Sequence, residues 1–363
     1  MPNDLTAAVI RSIQLILAAC SALSIGCAEQ PSDLTQERIY AMATWVDLSI
    51  RGADPATATA ATEEIKEFLG VFERDYYAWT PGELADLNAG IHSGEPVLVS
   101  NRLATVLNEA QRLSQLSEGF FEPGLGGLVE LWGFNSSVAL HPRPPSEDEI
   151  VSYLGAGSRI ASIRIEGQRI LSDSRELTLD LGGIAKGAAV DAVVSLLRGW
   201  NIEHALVNAG GDLRVIGRSG GGTSERLWRV GIRHPREAGL LGIVELSSGE
   251  SAFTSGDYER FYEHEGSRLH HILDPRTGYP VTHTQAVTVI AADGVTADAA
   301  ATALFVAGPD RWRDVAHALG VDSVLRVDAG GNVELTETMR ERLTQADDND
   351  SDIMTPPAQA GPI

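Results

Sequence analysis

The chain has 363 residues and a formal net charge of −22, from 28 basic and 50 acidic residues. It is 43 % hydrophobic and 21 % charged, as in ordinary globular proteins, and is long enough for one large core or two moderate ones. It has no basic run and no stripe of basic and aromatic residues. That excludes a nucleic-acid binder, which needs clustered Lys and Arg to displace phosphate counterions. An anionic ligand would need a local pocket of donors, a cation, or both.

The elements begin with an export leader over residues 1–27. "LTAAVIRSIQLILAAC" is apolar, too short to span a membrane, and ends in Leu17-Ala18-Ala19-Cys20, the pattern of a lipoprotein cleavage box. Cys27, after "LSIG", is the rival acceptor. Both cysteines of the chain lie in this leader, so the mature fold has no disulfide and no cysteine metal site. These features place the protein on the periplasmic face of a bacterial envelope, lipid-anchored at Cys20 with Cys27 as the alternative. Several acyl chains would hold it stably, and the lipid is its only expected membrane contact. Residues 28–37 read as a polar tether. One domain follows over 38–335, divisible into lobes over about 38–155 and 156–335, and 336–363 reads as an acidic, disordered tail.

"AMATWVDLSIRG" alternates as a strand does. "PATATAATEEIKEFLGVFERDYY" puts Ile65, Phe68, Leu69 and Phe72 on one helical face. "TPGELADLNAG" predicts a short helix. "VSNRLATVLNEAQRLSQLSEG" predicts an amphipathic helix from near Asn101 to before Gly119. "FFEPGLGGLVELWGF" reads as a loop entering a helix, and "HPRPPSEDEIVSYLG" as a link into another. From residue 160 short β runs dominate, including "LTLDL", "HALVNAGGDLRVIG", "LWRVGIR", "RLHHILDP" and "QAVTVIAAD". Helical runs "KGAAVDAVVSLLRGW", "TADAAATALFVAG" and "RWRDVAHALG" interrupt them. The class is α+β.

Four stretches carry candidate chemistry. In "LDLGGIAKGAAVDAV", Leu179 and Leu181 end a strand, and Gly182 and Gly183 permit a tight turn. A helix start then presents free N–H groups and a partial positive charge to an anion. Lys186 is the only lysine for more than a hundred residues on either side. The stretch lacks the P-loop and dinucleotide glycine spacings. By itself it reads equally as a helix start whose lysine reaches solvent. "NAGGDLRVIG", with Asn208, Gly210, Gly211 and Asp212, is either a hairpin turn or backbone that must approach a flat ligand. "TSGDYERFY" and "HHILDPRTGYP" bring Ser255, Asp257, Glu259, His270, His271, Asp274, Arg276 and Thr277 into a dense polar set. Adjacent histidines on a strand face opposite sides, which disfavours zinc, and no GxSxG elbow supports a hydrolase triad. In "TADAAATAL", Asp298 and Thr302 are four apart on one helical face, a hard oxygen pair suited to Mg²⁺ or an ordinary first-turn acid.

In this order the motifs resemble the FAD:protein FMN transferases, the ApbE-type flavin transferases, from about Met42 to about Gly308. The pieces are "MATW", "ELADLNAG", "GFFEPGLGGLVELWGF", "LDLGGIAKGAAVD", "LVNAGGDLRVIG", "TSGDYERF", "HHILDPRTGYP" and "ADAAATAL". The resemblance implies an ApbE-like, T-fold-related architecture with antiparallel sheets, flanking helices and a central FAD cleft. It implies Mg²⁺-dependent transfer of FMN from FAD, through a phosphoester, to a Thr or Ser of electron-transport flavoproteins, with release of AMP. Carried over by position, the metal is expected at Ala185 (carbonyl), Asp298 and Thr302, and the catalytic residues are His271, Lys186 and Asp298. FAD is expected against Met42, Thr44, Glu122, Lys186, Asn208, Gly210, Gly211, Asp212, Ser255, Asp257, Glu259 and His271.

The chain departs from the family pattern in three places. Ala43 replaces the glycine of "MGT". Phe121-Glu122-Pro123-Gly124 replaces Phe-Asp-Pro-Thr, and Tyr77-Ala78-Trp79 stands where Ser-x-aromatic is common. Two other readings share the same residues, a metal-dependent FAD pyrophosphatase giving FMN and AMP, and a non-catalytic FAD-binding lipoprotein.

Overall fold

Alternating apolar runs with one face toward helices and one toward a second layer give this chain a single large antiparallel sheet. The computed structural model describes residues 34–135, 143–157, 159–220, 226–345 and 353–354. Residues 35–363 form one unit, and the leader, its two cysteines and most of the tether lie outside the described residues. Among the described residues no helix is long and apolar enough to cross a membrane.

The strands are β1 (Leu34–Ala41), β2 (Thr44–Arg51), β3 (Val97–Leu98), β4 (Ile163–Glu166), β5 (Arg169–Ser172), β6 (His204–Ala209), β7 (Asp212–Ile216), β8 (Trp228–Arg233), β9 (Leu240–Leu246), β10 (Ser251–Gly256), β11 (Phe261–His264), β12 (Ser267–His270), β13 (Thr284–Ala291), β14 (Ser323–Asp328) and β15 (Val333–Leu335). Eight of them form the sheet β1-β2-β6-β7-β10-β13-β14-β15, and the rest make small sheets β3-β5-β4, β8-β9 and β11-β12. The helices are α1 (Pro55–Tyr76), α2 (Glu83–Ser93), α3 (Asn101–Leu116), α4 (Gly126–Leu131), α5 (Glu147–Gly155), α6 (Ala185–Gly199), α7 (Gly294–Leu319) and α8 (Glu337–Arg342).

Period-two alternation divides the strands between two cores. Val207, Val287, Val289 and Val324 face the helical layer, where Ile65, Leu69, Phe72, Val193, Leu304 and Phe305 are buried. Leu206, Leu213, Val215, Ile290, Leu325 and Val327 face the other way, onto Trp228 and Val244 of the β8–β9 hairpin and Met339 of α8. Helix α1 starts where the sequence places it. Asp54 accepts from the N–H groups of Ala56 and Thr57, and Pro55 fills the first position. Ser100 caps α3 through Leu103 N–H, and Ser146 with Glu149 forms a capping box on α5. The two C-terminal helical runs form one element, α7, broken at Gly308 (φ 68°) before Pro309.

Three sequence expectations give way. Residues 34–37, read as tether, belong to strand β1. "LTLDL" is not a sheet strand. Asn88 of α2 donates to Leu179 O (3.0 Å) and accepts from Leu179 N–H (2.8 Å). The flanking Thr178 O accepts from Gly126 N–H and Asp180 N–H donates to Pro123 O, as an isolated parallel bridge. The segment from 336, read as disordered tail, is folded as far as 345. Met339 is fully buried, Arg342 pairs with Glu250 (2.7 Å), and Thr344 exchanges backbone bonds with Ile243 of β9. Its buried methionine anchors a run whose composition is otherwise polar. Met354 likewise bonds to the backbone of β8, and the remaining tail lies outside the described residues.

The β1–β2 turn carries strain. Met42 (φ 54°) and Ala43 (φ 55°) are both left-handed, as a two-residue hairpin requires, and Ala43 is exposed. An alanine there costs about 1 kcal/mol, and its exposure leaves little burial to offset that. Ala43→Gly is expected to raise unfolding free energy by about 0.5–1 kcal/mol, part of the relief being offset by glycine's greater unfolded-state entropy. A denaturant midpoint that failed to rise, at unchanged m-value, would contradict this.

Candidate active site

The N-terminus of α6 is built for close approach. Asp180 Oδ1 accepts from Gly182 N–H (2.7 Å) and closes the glycine turn. A methyl group on Gly183 would lie 3.3 Å from Thr302 Oγ1, so this turn is seated directly on α7. Ile184, at the cap position, has no side chain able to cap. The cap comes instead from α7, where Asp298 Oδ2 accepts from Gly187 N–H at 2.9 Å. A β-carbon at Gly187 would fall 2.2 Å from Gly294 O, so the starts of α6 and α7 touch backbone to backbone.

This contact gathers charge. The Lys186 ammonium donates to Asp212 Oδ2, while Asp212 Oδ1 accepts from Thr254 N–H (2.9 Å). Burial would lower the lysine, but Asp212, Glu259 and Asp298 outweigh it and hold its pKa above the ordinary value. Burial pushes Glu259 up to about 7, Lys186 opposing it and Asp212 adding to it. Asp298 is pushed up to about 7 in the same way, chiefly by burial. Lys186 therefore faces three carboxylates, and Arg260 and Arg233 act on Glu259 as well. Ser255 and Thr302 hydroxyls lie 3.2 Å apart beside it. Gly210 (φ 70°) and Gly211 (φ 108°) turn the β6–β7 hairpin past this cluster, and Asn208 Oδ1 holds the turn through Gly211 N–H (2.8 Å). A β-carbon on Gly210 would strike Thr44 Oγ1 at 2.4 Å, which brings the Met42–Thr44 turn against the same hairpin. Gly210, Gly211, Asp212, Thr254, Tyr258 and Glu259 line one recess.

The two histidines separate as alternation requires. His270 is buried, with Nε2 donating to Val281 O (2.6 Å) and Nδ1 accepting from Ile272 N–H (3.2 Å), so both nitrogens are used by backbone. His271 Nδ1 lies 3.2 Å from Arg260 O. A carbonyl only accepts, so Nδ1 carries the proton and Nε2 keeps its lone pair. Burial, then Arg260, His270 and Lys186, hold its pKa well below the ordinary value, so the ring is neutral at pH 7.

Two expected FAD contacts are committed elsewhere. Arg236 grips Asp257 in a bidentate pair (2.7 and 2.5 Å), with Arg268 beside it. Glu122 Oε1 accepts from Gly124 N–H (2.8 Å) and Ile160 N–H (2.7 Å), and Ser114 reaches Oε2, which makes Glu122 an internal clamp. Three residues outside the expected contact set join the site region. Trp79 Nε1 donates to Asp180 Oδ2 (3.2 Å) at the glycine turn. Arg260 orients His271 and reaches Phe134 O. Arg233 lines the recess with a buried, unpartnered Nη1. Trp79 was visible beforehand in Tyr77-Ala78-Trp79 and Arg260 as the residue after Glu259 in "GDYER", whereas Arg233 carried no sequence signal.

The donors fit Mg²⁺. Among the described residues no cluster of three or more His, Cys, Asp or Glu side chains is placed to hold a metal. Mg²⁺ needs no such cluster, since it takes one or two carboxylates and completes its shell with water and phosphate. Asp298 uses only Oδ2 in its cap, so Oδ1 makes no hydrogen bond, and carboxylate and hydroxyl oxygens gather at the site.

The profile of the ApbE family matches residues 42–325, which contain every site residue just described. The chain belongs to the ApbE family. It is 38 % identical over 314 residues to the FAD:protein FMN transferase of Rhodobacter capsulatus, covering 86 % of this chain and 59 % of that protein. The chain thus spans less than two thirds of that relative. It spans 97 % of the FAD:protein FMN transferase of Haemophilus influenzae, at 29 % identity over 343 residues and 91 % of this chain. Among solved structures, the ApbE protein of Thermotoga maritima superposes with a TM-score of 0.78 at 33 % identity, covering 86 % of this chain and all of that one. The flavin transferase ApbE of Vibrio cholerae gives 0.75 at 30 %, again over 86 % of this chain and all of that one. The sheet and helices of this ApbE-family chain are accordingly the family fold.

Proposed function

We propose that the meeting point of α6 and α7 is the catalytic centre of a FAD:protein FMN transferase. The observation that carries this reading is the convergence at one helix N-terminus of Lys186, a metal-competent Asp298 and a neutral His271. The chain is a transferase that moves FMN from FAD to protein, as its family membership and the relatives above support. In the reaction, the hydroxyl oxygen of a target Thr or Ser attacks the FMN phosphorus of FAD. A new P–O bond forms, the pyrophosphate P–O bond breaks, and AMP leaves with the bridging oxygen. His271 Nε2 receives the hydroxyl proton, its Nδ1–H held by Arg260 O. Lys186 and the N-terminus of α6 offset charge on the diphosphate. Mg²⁺, held by Asp298, Thr302 and the Ala185 carbonyl, supplies further charge neutralisation when bound. The Gly210–Gly211 turn with Asn208, Thr44 and Met42 forms a wall along which FAD lies. Ser255 and Glu259 border its reacting end.

The leader supports a place on the periplasmic face of the envelope, anchored by lipid at Cys20, and targets among electron-transport flavoproteins facing that compartment. The test incubates the protein with FAD, Mg²⁺ and a candidate acceptor domain and follows intact mass. The acceptor should gain the mass of FMN less one water, with stoichiometric AMP. Free FMN and AMP with an unmodified authentic acceptor would refute the transferase and leave a pyrophosphatase.

A further inference from the structure

Helix α7 is capped twice. Its own Asp293 accepts from Thr296 N–H at 2.7 Å. The two preceding N–H groups are taken by Asp191, which belongs to α6, a hundred residues earlier. Asp191 Oδ1 accepts from Gly294 N–H (2.8 Å) and Oδ2 from Val295 N–H (3.1 Å). Arg214 of β7 pairs with Asp191 Oδ1 (2.5 Å) and bonds to Ala292 O (3.0 Å) and Gly249 O (3.2 Å), tying the cap to the sheet. The Asp191 and Arg214 side chains are only 19 % and 13 % exposed.

The arrangement is reciprocal. Asp298 of α7 caps α6 at Gly187, and Asp191 of α6 caps α7 at Gly294, while Gly187 and Gly294 touch. Each carboxylate stands four residues, about one turn, beyond its own helix's glycine. The glycine contact alone leaves the helices free to slide and rotate about it. Two carboxylate bridges, one on each helix, remove both freedoms. What they fix is the distance from Asp298 and Thr302 on α7 to Ala185 and Lys186 on α6.

We infer that Asp191 is a positioning residue for the metal-binding half of this site, holding α7 in the register at which Asp298 and Thr302 face the start of α6. The inference rests on the proposed role of Asp298 as metal ligand. It is tested on the full chain with Mn²⁺ as an octahedral, oxygen-seeking stand-in read by electron paramagnetic resonance, alongside the Mg²⁺ concentration for half-maximal transfer. Asp191→Asn keeps the shape and one acceptor oxygen but loses the second, along with the charge opposite Arg214. Mn²⁺ affinity and half-activation by Mg²⁺ are expected to weaken about 10–100-fold, with kcat at saturating Mg²⁺ within about threefold of the parent. Arg214→Met, which leaves the carboxylate in place but releases it from the sheet, should weaken Mn²⁺ several-fold and serves if the first variant does not fold. A lowered melting temperature with parental Mn²⁺ affinity in either folded variant overturns the inference, because Asp191 would then be structural only. Asp298→Asn is the control. If it loses Mn²⁺ while Asp191→Asn does not, Asp191 alone is refuted. If it binds Mn²⁺ as the parent does, the metal reading falls and this inference with it.

Discussion

Asp298→Asn is expected to lower the rate of FMN transfer about 10²–10³-fold at limiting Mg²⁺ and to abolish most of the Mg²⁺ dependence. The carboxamide oxygen still accepts from Gly187 N–H, so the cap on α6 survives and only the charge is lost. The loss therefore reports chemistry and not folding. Asp298→Ala would mix the two, since it also strips a helix cap, at about 1 kcal/mol. Metal-free stability should move the opposite way from activity. In the folded state burial pushes Asp298 and Glu259 up to about 7, whereas ordinary carboxylates in the unfolded chain titrate near 4. Between those values the folded state binds more protons, so these groups make the metal-free protein less stable as pH rises from about 4 to about 7. The asparagine, neutral throughout, should flatten that slope and match or exceed the parent's melting temperature at pH 8. Full Mg²⁺-stimulated activity in Asp298→Asn would refute the metal site.

Lys186→Met should cost both activity and stability, and its pH signature separates the two. Without the ammonium, Asp212, Glu259 and Asp298 lose the cation they share, and Arg260 and Arg233 act on Glu259 alone of the three. Breaking a buried pair by removing one partner costs roughly 3–5 kcal/mol while the remaining charge stays ionised. Lys186 is 27 % exposed, so the lower end is expected, near pH 8. The sign follows from proton uptake. Losing the lysine raises Glu259 and Asp298 further, the folded state holds their protons to higher pH, and acidification toward pH 6 recovers much of the stability. Transfer activity should fall about 10²–10³-fold at every pH, because protonating carboxylates does not restore charge opposite the diphosphate. Melting curves at pH 6 and 8 with parallel rates check both. An equal stability deficit at the two pH values would mean that Lys186 does not balance these acids.

Where residues act on neighbours one turn or one strand pairing away, the sequence is legible. The cap and buried face of α1, the amphipathic α3, and the Gly-Gly-Asp turn between β6 and β7 all follow from spacing and local chemistry. "LTLDL" has the composition of a strand, yet Asn88, about ninety residues away in the chain, takes both backbone bonds of its central Leu179. "GDYE" shows the same limit at shorter range. Asp257 and Glu259 are two apart and would share a face in an extended strand. The chain turns there, and Arg236 takes Asp257 while Glu259 reaches the Lys186 cluster. No local pattern distinguishes the two carboxylates, because their difference lies in which cations the fold brings to each.

By itself the sequence determined the α+β class, the glycine-led start of α6, and the chemical types in the site: one lysine, hard oxygen donors and a histidine pair. Each of these depends on residue chemistry and short spacing. Only the tertiary structure decided which histidine keeps a free nitrogen, which acids share one lysine, and that α6 and α7 cap each other through Asp191 and Asp298. Those outcomes depend on distances between separate elements, across more than a hundred residues of chain for the two caps. Burial and backbone contact set such distances, and no periodicity encodes them.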